Sequence, residues 1–240
     1  MVFTSASRSR RERPAKAALS RAGIIETAVA VLRAEGLERV TMRRLATELD
    51  TGAASLYVYV RNTAELHAAV LDELLGSVTL TSATEPAEWT DDIARVLWSY
   101  TGILIQYPGL ARSALVTRPS GPNYLALAER LLSLLRAGGI PDSQSAWGID
   151  LLFQFATSIA AEQATRDRAT DASEEEEALA TAIRQATAGT YPMILALGDD
   201  LLSGTPQARY DWGVTVLLNG MATTPRPPHQ SNNNDERDRK

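Results

Sequence analysis

Cysteine is absent from this 240-residue chain. That excludes a disulfide framework, a Cys-bound zinc and a thiol nucleophile, and it suits a reducing, cytoplasmic setting. Histidine is scarce, with His67 and a second, His229, in a Pro- and Asn-rich C-terminal stretch. The chain has no Gly-rich phosphate loop, nucleophile elbow or H-E-x-x-H. Scattered carboxylates do not make an acid–base pair by themselves. These absences argue against an enzyme and call for no metal or cofactor. No apolar run approaches the ~20 residues of a membrane helix, so no membrane partner is expected. The opening MVFTSASRSRRERPAK is charged but lacks the apolar core of a secretory signal. Alternating runs long enough to build a sheet are also missing.

What remains is 45% hydrophobic, enough for a substantial core, and unevenly charged. Residues 1–61 hold eleven Arg/Lys and six Asp/Glu, a net of 11 − 6 = +5. Residues 62–240 hold the other thirteen bases and twenty-three acids, a net of 13 − 23 = −10. The split suits a basic module that meets a polyanion and an acidic body that stays in water.

The pattern is helical throughout. Residues 1–18 read as a disordered basic arm. Ser20 caps a helix over about 20–35, with Ile24, Ala28, Val31 and Leu32 at helical spacing and Gly36 as its stop. Thr41 caps a second helix to about Leu49, and Asp50-Thr51-Gly52 forms a turn. A third helix is expected over about 53–60, and Thr63 is the expected cap of a fourth. Further helices are expected over 64–76, 88–106, 109–116, 122–137, 143–166, 173–197 and 205–221. The acids of SEEEE (173–177) suit a first helical turn. Residues 223–240 read as a disordered tail.

The segment TGAASLYVYVRN, 51–62, is the informative one. Its β-branched and aromatic residues have strand propensity, but it follows a helix and a glycine turn. Two short helices joined by such a turn have the form of a helix-turn-helix, whose second helix enters the DNA major groove. Ala53, Leu56 and Val60 then pack inward, and Tyr57 and Tyr59 face out. A tyrosine offers DNA a ring for sugar or a thymine methyl and a hydroxyl for phosphate. Ala53 and Ala54 permit close backbone approach, while Arg43, Arg44 and Arg61 reach the phosphates.

Residues 19–66 resemble the DNA-binding region of the TetR family of transcriptional regulators. The likeness lies in the Gly36-Leu37 turn, T-x-R-x-L-A at 41–46, S-L-Y at 55–57 and V-x-N-x-x-x-L at 60–66. It implies an all-α homodimer that represses transcription from a palindromic operator. Carried over by position, Thr41, Arg43, Ser55, Tyr57, Tyr59 and Thr63 touch DNA, chiefly its phosphates. Ala53 and Ala54 depart from the longer polar side chains that relatives often place there, so they offer only apolar contact. The basic arm either follows the duplex or simply aids solubility.

The body resembles the ligand-binding core of the tetracycline-repressor branch. Trp89, the stretch YPGLARSALVTRPSGPNY (107–124) and the late LLNGM (217–221) carry that likeness. It implies domains of 19–66 for DNA and 67–222 for ligand binding and dimerisation, the latter through helices of about 143–166 and 205–221. Positions that bind magnesium-tetracycline in that branch are Thr79, Ala114 and Val96 here, and alanine is no ligand for a hard metal. The implied pocket is Val96, Tyr100, Ile103, Ala114, Thr117, Arg130 and Trp147, suited to a small, largely apolar effector. Two other readings stay open: a repressor controlled by a protein partner, and a helical sensor or carrier without DNA activity.

Overall fold

The computed structural model describes residues 18–80, 88–116, 119–167 and 171–227. Among them are eleven α-helices and no strand. The expected basic arm, but for its last residue, and most of the expected tail lie outside the described residues, as does Thr117.

Helix α1, Arg21–Glu35, begins where Ser20 Oγ accepts the Gly23 amide at 3.1 Å. It ends at Gly36, whose φ of 86° is in the left-handed region that a β-carbon disfavours. A short 3-10 turn, Leu37–Arg39, leads to α2, Met42–Glu48. Thr41 caps α2 by accepting the Arg44 amide at 3.2 Å. Helix α3 is one turn, Ala53–Leu56, shorter than the expected 53–60. Residues 57–59 continue as a turn, and Leu56 and Val60 are both fully buried. The run Tyr57-Val58-Tyr59-Val60 has weak helix propensity, and two anchored leucine and valine side chains hold it without a helix. Helix α4, Thr63–Leu75, is capped by Asn62 and not by Thr63: Asn62 Oδ1 accepts the Glu65 amide at 2.9 Å.

The body is built from α5 (Trp89–Gln106), α6 (Pro108–Ala114), α7 (Pro122–Ala137) and α8 (Asp142–Arg166), closed by α11 (Pro206–Thr223). Helix α8 lies at its centre, in contact with α5, α6, α7 and α11. Its inward face, Leu152, Phe153, Ala156 and Ala160, repeats every three or four residues and is buried. The expected single helix 173–197 is two: α9, Ala172–Arg184, and α10, Pro192–Leu202. Pro192 explains the break, since it has no amide to donate and forces Tyr191 out of helical geometry (φ −134°, ψ 61°). The two helices pack on each other, and none of their residues is buried in this chain.

Helix α4 joins the halves. It packs on α1 on one side and on α6 and α7 on the other. The expected boundary between residues 66 and 67 therefore falls inside one continuous helix.

Candidate nucleic-acid interface and ligand core

Burial of Leu56 and Val60 leaves the rest of the α3 turn at the surface. Ala54 and Ser55 are exposed, Ala53 is half-buried, Tyr57 is 53% exposed and Val58 81%. Thr41, Arg43, Arg61 and Thr63 are exposed on the neighbouring helix starts. The two tyrosines differ. The Tyr57 ring stands out, whereas Tyr59 is half-buried and donates its hydroxyl to the Leu19 carbonyl at 2.9 Å. That bond ties the end of the helix-turn-helix to the start of α1.

The arginines differ too. Arg44 is gripped by Glu35 at 2.6 Å and Glu48 at 2.7 Å, a strut from α1 to α2. The Arg44 hydrogen bond, more than that from Arg39, holds the Glu35 carboxyl below its ordinary range. Arg61 pairs with Glu65 at 2.9 Å, and this bond lowers the Glu65 carboxyl likewise. Among the described residues the Arg43 side chain has no ion-pair partner.

In the body, Val96 and Tyr100 lie inside the apolar core. Tyr100, 2% exposed, shares a 2.8 Å hydrogen bond with the Thr157 hydroxyl. Its ring meets Phe153 edge-on at 5.4 Å, and Tyr124 meets Phe153 at 5.1 Å. A second hydroxyl pair, Thr101 with Tyr210 at 2.9 Å, links α5 to α11. Burial pushes both phenols, Tyr100 and Tyr210, up to about 12. Arg130 faces Asp92 at 3.9 Å, where Asp92 Oδ2 and Arg130 Nε and Nη2 are buried without a hydrogen-bond partner among the described residues. Ile103 and Ala114 are half-buried beside this core.

Trp147 is elsewhere, 56% exposed on α8 with the Arg226 guanidinium 4.9 Å above its ring. Sequence reasoning passed over Thr157, Phe153 and Tyr124 as pocket neighbours. The helical spacing of Phe153 and Thr157, one turn apart on α8, was the available signal.

An all-α chain with an exposed helix-turn-helix and a separate helical body is a DNA-binding transcriptional regulator by class. Residues 24–70 match the family of bacterial regulatory proteins called tetR, and residues 82–224 match the tetracyclin repressor-like C-terminal domain. The chain belongs to the TetR family, whose members are transcriptional regulators and not enzymes. An HTH-type transcriptional regulator from Saccharopolyspora erythraea is 33% identical over 211 residues, which cover 87% of each chain. The transcription regulator SCO7704 from Streptomyces coelicolor is 54% identical, with 89% of this chain and all of that one covered and a TM-score of 0.75. ActR of Streptomyces coelicolor, solved in complex with actinorhodin, is 35% identical. There, 85% of this chain and 96% of ActR are covered, also with a TM-score of 0.75. Among the described residues no helix is long and apolar enough to cross a membrane.

Proposed function

We propose that the protein is a cytoplasmic homodimeric repressor that leaves a palindromic operator when a small, largely apolar ligand enters its body. The observation that carries the DNA half is the exposed rim Thr41, Arg43, Ala54, Ser55 and Tyr57, standing on the buried anchors Leu56 and Val60. Its side chains are those that bind phosphate and the apolar edges of bases. Each subunit inserts the α3 turn into one major groove, with half-sites about 34 Å apart. Tyr59, Arg44 and Arg61 act on DNA by positioning this rim, since each is already bonded within the protein. Thr63, at the first turn of α4, adds its amide or hydroxyl to a phosphate.

The ligand half rests on the aromatic cluster Tyr100, Phe153 and Tyr124, with the Tyr100–Thr157 hydroxyl pair as its polar point. Arg130, the cation expected for the pocket, faces Asp92, two helical turns along α5 from Tyr100. An apolar wall with few polar groups suits a planar organic effector. ActR, solved with actinorhodin, supports that chemistry. Val96 and Ala114 argue for an effector other than magnesium-tetracycline. The dimer forms on the outer faces of α8 and α11, where Trp147, Leu151, Trp212 and Val216 are exposed.

A gel shift with the DNA upstream of the protein's own gene, repeated at several salt concentrations, tests this. Binding falls steeply with salt and weakens in Tyr57→Ala and Arg43→Ala. A bound effector that couples by ~1–3 kcal/mol reduces affinity about 5- to 150-fold. Binding unchanged by both substitutions refutes the DNA surface.

A further inference from the structure

Between the DNA-binding helices and the body lies an open groove of about 510 Å³, lined by Arg33, Leu74, Ser77, Ile103, Gln106 and Tyr107. Its walls come from α1, from the end of α4 and from the end of α5. The size is within the range of small-molecule sites. Among the described residues Arg33 is the only formal charge on its lining. Among the described residues the Arg33 side chain has no ion-pair or hydrogen-bond partner, unlike Arg39, Arg44 and Arg61 on the same head. Leu74, Ile103 and the Tyr107 ring supply apolar surface, while Ser77, Gln106 and the Tyr107 hydroxyl supply hydrogen bonds.

We infer that this groove is a binding site for small aromatic monocarboxylates, distinct from the buried cluster around Tyr100. One guanidinium matches one carboxylate as a two-pronged, charge-assisted pair, and phosphate esters call for more positive charge than one arginine. The aromatic body lies on Ile103 and the Tyr107 ring, both half-exposed. Close by, Leu37 packs onto Gly109, where an added Cβ would fall 2.8 Å from the Leu37 Cβ. The groove thus adjoins a direct contact between head and body, and a ligand there is bound by both. A site that spans two bodies favours whichever relative placement closes it, so its occupancy biases the spacing of the two DNA heads.

The test uses the full-length protein with 1-naphthoate as the probe and 1-naphthamide as its neutral counterpart, read by titration calorimetry at low salt. Naphthoate binds wild type, and Arg33→Met weakens it by about tenfold or more. Arg33→Lys retains part of the affinity, and the amide binds no better to wild type than to Arg33→Met. Tyr100→Phe and Arg39→Met leave naphthoate binding unchanged. Far-UV circular dichroism of each variant confirms its fold, and a Gln106→Ala variant gives a second, milder loss should Arg33→Met not fold. No binding of naphthoate, equal binding by wild type and Arg33→Met, or a loss confined to Tyr100→Phe overturns the assignment. The last result places the probe in the aromatic core and leaves the proposed effector site standing, so the two readings fail separately.

Discussion

Arg43 and Arg44 adjoin in the chain, yet carboxylates hold only the second of the two guanidiniums. Released counterions set the salt dependence of DNA binding, so each phosphate-bound base contributes about one unit of slope. Arg43→Ala should flatten the log affinity–log salt plot by about one unit without changing the melting temperature. Arg44→Ala should do the reverse, lowering the melting temperature and leaving the slope. Glu35, the partner of Arg44, adds a pH signature. Its folded carboxyl titrates below the ordinary 4.5, so its contribution is present above that value and is lost as pH falls through the lowered one. Melts from pH 6 to 3 should show this acid-side decline, and Glu35→Gln should remove that part of it. Tyr100 and Tyr210 act at the other end of the scale. Both phenols are raised from 10 to about 12, so their protonated forms stabilise the fold fully below pH 10, and that support is lost as pH rises towards 12. Tyr100→Phe with Tyr210→Phe should flatten the alkaline limb of the stability profile.

At the scale of elements, α4 is the part shared by both halves, and Asp72 fastens it to the body by hydrogen bonds to the start of α7. The carboxylate is buried, accepts the Tyr124 amide at 2.8 Å and the Asn123 amide at 3.4 Å, and so caps α7 from another helix. Gly121 makes room for it, since a Cβ there would fall 2.1 Å from Asp72 Oδ2. Asp72→Ala leaves those amides unsatisfied and should cost ~1–3 kcal/mol in a denaturant titration. Gly121→Val should be similarly destabilising by steric overlap, while Asp72→Asn, which keeps one acceptor oxygen, should lose less. If Asp72→Ala unfolds at the wild-type midpoint, the carboxylate is not a fastening. None of this was visible in the chain, because a cap supplied from fifty residues away has no local spacing. Local chemistry was better legible: Ser20, Thr41 and Gly36 bound their helices as the capping rules require. The cap of α4 is Asn62 and not the expected Thr63, and Pro192 broke a helix that apolar periodicity alone ran through.

For the whole molecule, the division into a basic DNA-facing part and a larger acidic body follows from composition, and the all-α class follows from periodicity. The ligand core was less legible, because pocket walls and packed core use the same apolar residues. Val96 and Tyr100 are buried as either role requires, whereas Trp147 on the same reasoning proves to lie on the outer face of α8. That outer face bears on assembly. Trp212 on α11 is 70% exposed, with Val216 one turn on, and Trp147 and Leu151 repeat the spacing on α8. So much large apolar surface on two adjacent helices fits a self-complementary two-fold interface. In the proposed dimer on a palindromic operator, once one head is on its half-site the tethered second head binds as an intramolecular step, worth about 10²- to 10⁴-fold in affinity. Trp212→Arg combined with Val216→Glu places charge in the seam and leaves the inward residues Tyr210, Val214 and Leu218 untouched. Sedimentation velocity should then report a folded monomer, and operator affinity should drop by about two orders of magnitude or more while the α3 rim stays intact. A double variant that still sediments as a dimer would move the interface off α8 and α11. A monomer that binds the operator as tightly as wild type would mean that a single head suffices.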